Sequence, residues 1–147
     1  MSLQTDRIFV KALKSDAGLM RMLAAHDVYN TAIPVPDVDL DNVDVPYVIV
    51  SFNGMNLTDM TKDDSMDGDT DMVNISIEVA AETRPQLAEI LIRCRQTIRD
   101  YFEDNGDGED SDLIPEQMEV SATSVQYDGD KPCFFQSLNY QCETKPD

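Results

Sequence analysis

The chain has 147 residues, 41% of them hydrophobic, and its 29 acidic residues against 11 basic ones give a net charge of -18 at pH 7. This length and composition predict a single globular domain over residues 1–147, and no apolar run reaches the roughly 20 residues that a membrane span requires. The negative charge repels phosphate backbones and anionic lipid, so we expect neither sequence-specific nucleic-acid binding nor attachment to a membrane.

Two short helices are predicted at the start of the chain. Apolar residues recur at helical spacing from Thr5 to Ala25, and the pattern breaks near Ser15, after which Asp16 can cap a second helix. Prolines and repeated aspartates from 26 to 45 then indicate an extended connection without a regular element.

Two strands follow, with an acidic loop between them. Residues 46–53 are almost continuously apolar, which is typical of a strand that is covered on both faces or paired at a subunit contact. Residues 71–81 alternate between apolar and polar side chains, which predicts a strand with one buried face. The acidic loop is predicted near 54–70.

A long amphipathic helix is the next predicted element. Apolar residues recur at steps of three and four from Leu87 to Phe102, and Thr83 is suited to cap the start, so a helix is predicted over 84–103. A second acidic loop is predicted near 104–116.

Two further strands are predicted at about 117–127, with a bulge, and at 133–143. The element order is therefore α-α-β-β-α-β-β. Short links between neighbouring strands favour antiparallel pairing, so we expect an α+β fold: an antiparallel sheet of about four strands with the long helix packed on one face.

The sequence contains no completed catalytic or cofactor motif. His26 is the only histidine, whereas a Ser or Cys nucleophile needs a base beside it that a third group orients. The cysteines, which are Cys94, Cys133 and Cys142, are odd in number and lack metal-ligand spacing, so neither a disulfide framework nor a zinc site is expected. We predict a protein that is not an enzyme and uses no cofactor.

One acidic stretch is similar to the start of an EF-hand calcium loop, because oxygen-bearing side chains alternate around Gly68. The weak candidate ligands are Asp63, Ser65, Asp67, Asp69 and Asp71. The twelfth position is Asn74 in place of the bidentate Glu, and the flanks are predicted strands instead of helices, which favours an ordinary acidic hairpin loop. An acidic interaction module, with or without calcium, is the alternative function that this stretch leaves open.

Several fragments, taken in chain order, carry a family resemblance. They are Ile8-Phe-Val-Lys-Ala-Leu13 in a helix, Pro46-Tyr-Val-Ile-Val50 in a strand, Ile77-Glu-Val-Ala-Ala81 at the end of the next strand, and Phe135-Gln-Ser-Leu-Asn-Tyr140 near the end. With the long helix between them, this layout resembles the small tail-completion or tail-terminator proteins of long-tailed phages.

The resemblance implies a structural protein of a phage or prophage virion that needs no cofactor. It implies a homo-oligomeric, commonly hexameric, ring that docks to the tail tube or the head connector, and a location in the virion, with assembly in the host cytoplasm. The two acidic loops and the net charge depart from the family pattern.

The predicted strand at 46–53 is the candidate subunit contact, because an edge strand with apolar residues on both faces invites pairing by another chain. The interface candidates are Tyr47, Val48, Ile49, Val50 and Phe52. The alternative is a central strand that is covered on both faces.

Overall fold

The structure is a computed structural model that describes residues 2–23, 27–31, 45–56, 71–105, 113–130 and 132–144. These residues form an α+β fold in which α1 and α3 pack on one face of a mixed sheet and α2 packs against both of them, so the predicted fold class is confirmed. After a short 3-10 turn, Ser2–Gln4, the elements are α1 Thr5–Lys14, α2 Ala17–Met22, β1 Val28–Asn30, β2 Tyr47–Asn56, β3 Asp71–Ala81, α3 Arg84–Asn105, β4 Leu113–Ala122, β5 Gln126–Asp128 and β6 Cys133–Thr144.

The two N-terminal helices form as the periodicity predicts, and Asp16 separates them. The Asp16 side chain accepts a hydrogen bond of 2.9 Å from the backbone N–H of Gly18, which makes it the N-cap of α2. On α1, Phe9 is fully buried and lies between the rings of Phe102 and Tyr140, at centroid distances of 5.4 and 5.2 Å. This aromatic cluster ties α1 to both α3 and the sheet.

The sheet order is β1-β2-β3-β6-β4, and the short β5 pairs with β6 beside β4. The predicted all-antiparallel sheet is corrected at one edge, because β1 runs parallel to β2, with Val28 opposite Val48 and Asn30 opposite Val50. A three-residue strand is too short to show periodicity, and it lies in the segment predicted as an extended connection. As a result, β2 is not the edge strand.

At the centre of the sheet, β3 has the predicted alternation, with odd-numbered residues from Val73 to Val79 buried and even-numbered ones half-buried. Its neighbour β2 continues to Asn56, so it extends into the loop predicted from 54. The pairing of β2 with β3 shifts between Phe52 and Met55, and Gly54 has a φ of 110° there, a conformation that glycine adopts without steric cost.

Helix α3 confirms the predicted long helix and runs two residues further than expected. The Thr83 hydroxyl accepts from the backbone N–H of Gln86 at 3.3 Å, and the Gln86 side chain accepts from the N–H of Glu82 at 3.1 Å, so both side chains stabilise the start of the helix. Its inward stripe is buried against the sheet and α1 and consists of Leu87, Ile90, Leu91, Cys94, Ile98 and Phe102.

The segment predicted as one bulged strand at 117–127 is two strands, β4 and β5, separated at residues 123–125. The first begins at Leu113, inside the loop predicted over 104–116, and its register against β6 shifts between Ile114 and Glu119. The last strand, β6, matches its prediction and extends one residue further.

Candidate functional site

Most of the candidate calcium ligands lie outside the described residues: Asp63, Ser65, Asp67 and Asp69, as does His26. Asp71 is the first residue of β3 and is 4% exposed. Among the residues that the structure describes, no three His, Cys, Asp or Glu side chains are grouped as metal ligands. The calcium site stays a prediction.

The five interface candidates on β2 divide between the two faces of the sheet. Val48 and Val50 are fully buried in the core beneath the helices, and Phe52 packs against the same core. Val48 and Val50 therefore offer no exposed surface in the subunit, and the role of the five residues as a subunit contact stays a prediction. Tyr47 and Ile49 are half-buried on the opposite face.

Tyr47 and Ile49 lie on the face of the sheet opposite the helices, and we call this face the open face. No described helix packs on it. Cross-strand register places its residues side by side: Glu78 lies opposite Ile49 and Ser137, and Ala80 lies opposite Tyr47 and Phe135. The open face consists of Tyr47, Ile49, Ser51, Met72, Asn74, Ser76, Glu78, Ala80, Phe135, Ser137, Asn139, Gln141 and Glu143, and all of these are half-buried except Ala80, which is fully buried.

The open face is apolar at one end and rich in amides at the other. A depression of about 400 Å³ at the amide end is lined by Asn53, Asn74, Ile75, Ser121, Asn139, Tyr140 and Gln141. Carboxamides and hydroxyls both donate and accept hydrogen bonds but supply neither a nucleophile with its base nor a charged metal ligand. This end of the open face is therefore suited to contact with polar groups.

Glu78 is the charged residue at the centre of the open face. Burial among its neighbours raises the pKa of its carboxyl group. The neighbouring Tyr47 has its pKa raised to about 12, first by burial and then by the negative charge of Glu78. The Glu78 carboxylate makes no ion pair with another described residue. A cation brought to this position would stabilise its charged form.

The basic residues that the structure describes lie on the helices. Eight of the eleven basic residues lie on the three helices, and they are Arg7, Lys11, Lys14, Arg21, Arg84, Arg93, Arg95 and Arg99. None lies in any of the described strands. Among the described residues positive charge thus lies on the helices, where Asp6, Glu89, Asp100, Glu103 and Asp104 offset much of it.

One of these basic residues joins two helices. The Arg93 guanidinium donates to the Asp16 carboxylate at 2.6 and 2.7 Å, and the Thr97 hydroxyl donates to it at 2.5 Å. This pairing with Arg93 holds the pKa of Asp16 well below its ordinary value. Arg93 therefore links α2 to α3 and is not free to bind a ligand.

The three cysteines are free thiols and all are buried. Burial raises the pKa of both Cys94 and Cys142 to about 12. A thiol reacts as its thiolate, so these two side chains are core residues and not nucleophiles at neutral pH.

No family model and no curated protein matches the chain. A chain in the solved structure titled "Virion of native gene transfer agent (GTA) particle" is similar to it, with a TM-score of 0.54 and 13% sequence identity, over 94% of this chain and 92% of that chain. The two chains therefore share a fold over almost their full lengths. None of the described helices is long and apolar enough to cross a membrane.

The open face was not predicted as a surface from the sequence, although the sequence identifies some of the residues on it. The predicted alternation of 71–81 identifies the residues of β3 that point away from the core. Antiparallel pairing places Tyr47 and Ile49 beside them. What the sequence does not show is the register, or which side of the sheet the helices cover.

Proposed function

We propose that this protein is a structural component of a phage-like virion, and that within it the protein completes or terminates the tail as a ring of identical subunits. The observation that carries the proposal is the fold shared with a chain of a gene transfer agent virion, over 94% of this chain and 92% of that one. Because the match spans both chains almost completely, the similarity extends over the whole domain and is not limited to a local motif.

Two features of the chain support a role in which the protein acts by binding other copies of itself and other virion proteins. The open face and the helical side are opposed surfaces on one domain, and a ring requires that one surface of a subunit meets a different surface of its neighbour. The sequence resemblance to tail-completion and tail-terminator proteins gives the same class of function.

Deletion of the gene in a strain that produces the particles tests this proposal. A tail-completing ring joins the tail to the head, so we expect the deletion strain to accumulate separate filled heads and free tails in electron micrographs. Expression of the gene from a plasmid restores joined particles. A deletion strain that releases normal, joined and infectious particles would rule out this role.

A further inference from the structure

The polar side chains that line the depression at the amide end of the open face are not bonded to the rest of the described chain. They are four carboxamides and one hydroxyl: Asn53, Asn74, Asn139, Gln141 and Ser121. None of these five side chains makes a hydrogen bond to another residue that the structure describes. They come from four strands, and the register places Asn74 beside Gln141 and Asn139 beside Ser121. Their donors and acceptors are therefore available to a ligand.

The charges around the depression favour a neutral ligand. Its lining side chains are uncharged, and the charged residues of the open face are the carboxylates Glu78 and Glu143. With a net charge of -18 on the chain, a phosphate or carboxylate ligand is repelled. A basic side chain is also a poor fit, because it has no acceptor for the carboxamide N–H groups. A neutral ligand whose groups both donate and accept, as hydroxyls do, matches the depression.

The other end of the open face offers an apolar surface. Tyr47 and Phe135 lie on either side of Ala80 in the register, and both are half-buried, so part of each side chain is accessible. Phe135 and Asn139 are four residues apart on β6, which is about 13 Å at ~3.3 Å per residue. A ligand that reaches from the apolar end to the amide end is therefore longer than a single sugar ring.

A short oligosaccharide combines these properties. A sugar ring has hydroxyl groups around its rim, which bond to carboxamides, and C–H groups on its faces, which the electron-rich face of an aromatic ring attracts. The depression has a volume of about 400 Å³, which lies within the range of ~300–1,000 Å³ that is typical of small-molecule sites.

We propose that the open face binds a neutral oligosaccharide, with the carboxamides of the amide end bonded to the hydroxyl groups of one sugar and with Tyr47 and Phe135 against the face of another. Glu78 lies between the two ends and accepts a hydrogen bond from a hydroxyl group of the ligand. This binding activity is additional to the proposed virion role and does not depend on ring assembly.

Calorimetric titration of the full chain with two neutral trisaccharides, maltotriose and chitotriose, tests the proposal. Both carry hydroxyl groups on every sugar, and chitotriose adds acetamido groups. We expect saturable binding of at least one of them, with one ligand per chain. Trigalacturonate, an anionic trisaccharide, should bind about tenfold more weakly or less, because the negative charge of the protein repels it.

A double variant tests the place of binding. Asn139→Ala/Gln141→Ala should weaken the binding of the neutral trisaccharide by about tenfold or more, because two hydrogen-bonding side chains are lost. The matched control is Asn30→Ala/Gln96→Ala, which removes one asparagine and one glutamine at exposed positions outside the open face and should bind as the wild type does. Circular dichroism checks that both variants are folded. In wild-type protein, the side-chain amide NMR signals of Asn74 and Asn139 should shift on titration, whereas that of Gln96 should not.

Several results would overturn the proposal. They are the absence of saturable binding of either neutral trisaccharide at millimolar concentration, equal binding of trigalacturonate, and a folded amide-end variant that binds as tightly as the wild type. Titration with acetyl-trialanine amide, which has peptide groups but no sugar ring, provides the remaining comparison. Tighter binding of this probe than of the trisaccharides would assign the open face to a peptide and not to a carbohydrate.

Discussion

The Asp16 side chain makes two kinds of contact: it caps α2, and it accepts hydrogen bonds from Arg93 and Thr97 on α3. Its side chain is 13% exposed, whereas that of Arg93 is 44% exposed, so the ion pair is partly screened by solvent. We expect Asp16→Ala to lower the free energy of unfolding by about 1–3 kcal/mol, mostly through the lost cap. Asp16→Asn, which keeps a capping oxygen but loses the charge, should cost about 1 kcal/mol or less. Urea denaturation at neutral pH measures both.

The pH dependence of stability distinguishes the contribution of the Asp16 charge from that of its capping hydrogen bond. Because the pKa of Asp16 is lower in the folded than in the unfolded chain, its charge stabilises the fold above the ordinary value of 3.8, and this contribution is lost as the pH falls below that value. The stability difference between wild type and Asp16→Asn should therefore be constant near neutral pH and shrink in acid. A difference that grows in acid would contradict the ion pair.

Tyr140 has a buried hydroxyl with no hydrogen-bond partner in the described structure. Its ring packs edge-on against Phe9, and burial raises the pKa of the phenol. Since an unpaired buried hydroxyl costs about 1–3 kcal/mol, Tyr140→Phe should leave the free energy of unfolding unchanged or raise it by about 1 kcal/mol. Thermal unfolding of the two proteins makes the comparison, and a clear loss of stability would show that the hydroxyl is bonded after all.

At the scale of the element, β2 presents adjacent residues to opposite faces of the sheet. Val50→Asp places a carboxylate in the core and should lower the free energy of unfolding by at least about 3 kcal/mol, from lost apolar burial and the cost of the buried charge. Ile49→Asp, one residue away on the open face, is the control and should cost about 1 kcal/mol. Equal effects in urea denaturation would mean that β2 does not have this orientation.

Elements with a long, clean period were predictable from the sequence. The alternation of β3 and the apolar stripe of α3 each span more than ten residues, and their bounds were within two residues of those observed. The strand β1 was missed because three residues carry no period, and its parallel pairing to β2 depends on tertiary contacts. The division of the five interface candidates between the two faces of β2 follows from the alternation of a strand, but which face the helices cover does not follow from the sequence.

For the whole molecule, the net charge of -18 dominates the energetics of assembly. Six copies would carry -108 charges (6 × -18), and their mutual repulsion opposes association. Salt screens this repulsion within a Debye length of about 8 Å at physiological ionic strength. Sedimentation at increasing sodium chloride should therefore shift from monomer towards a closed oligomer, and a shift in the other direction would contradict this balance.

The role as a virion component is tested most directly by the composition of the particles themselves. Quantitative mass spectrometry of density-purified particles from the source strain, calibrated with labelled peptides of this chain, gives the number of copies per particle. A single terminating ring of the hexameric kind that the family resemblance implies predicts about six copies in each tailed particle and a constant ratio to the tail-tube subunit across preparations. Intact particles that lack the protein, while it is abundant in the lysate from which they were purified, would contradict the account.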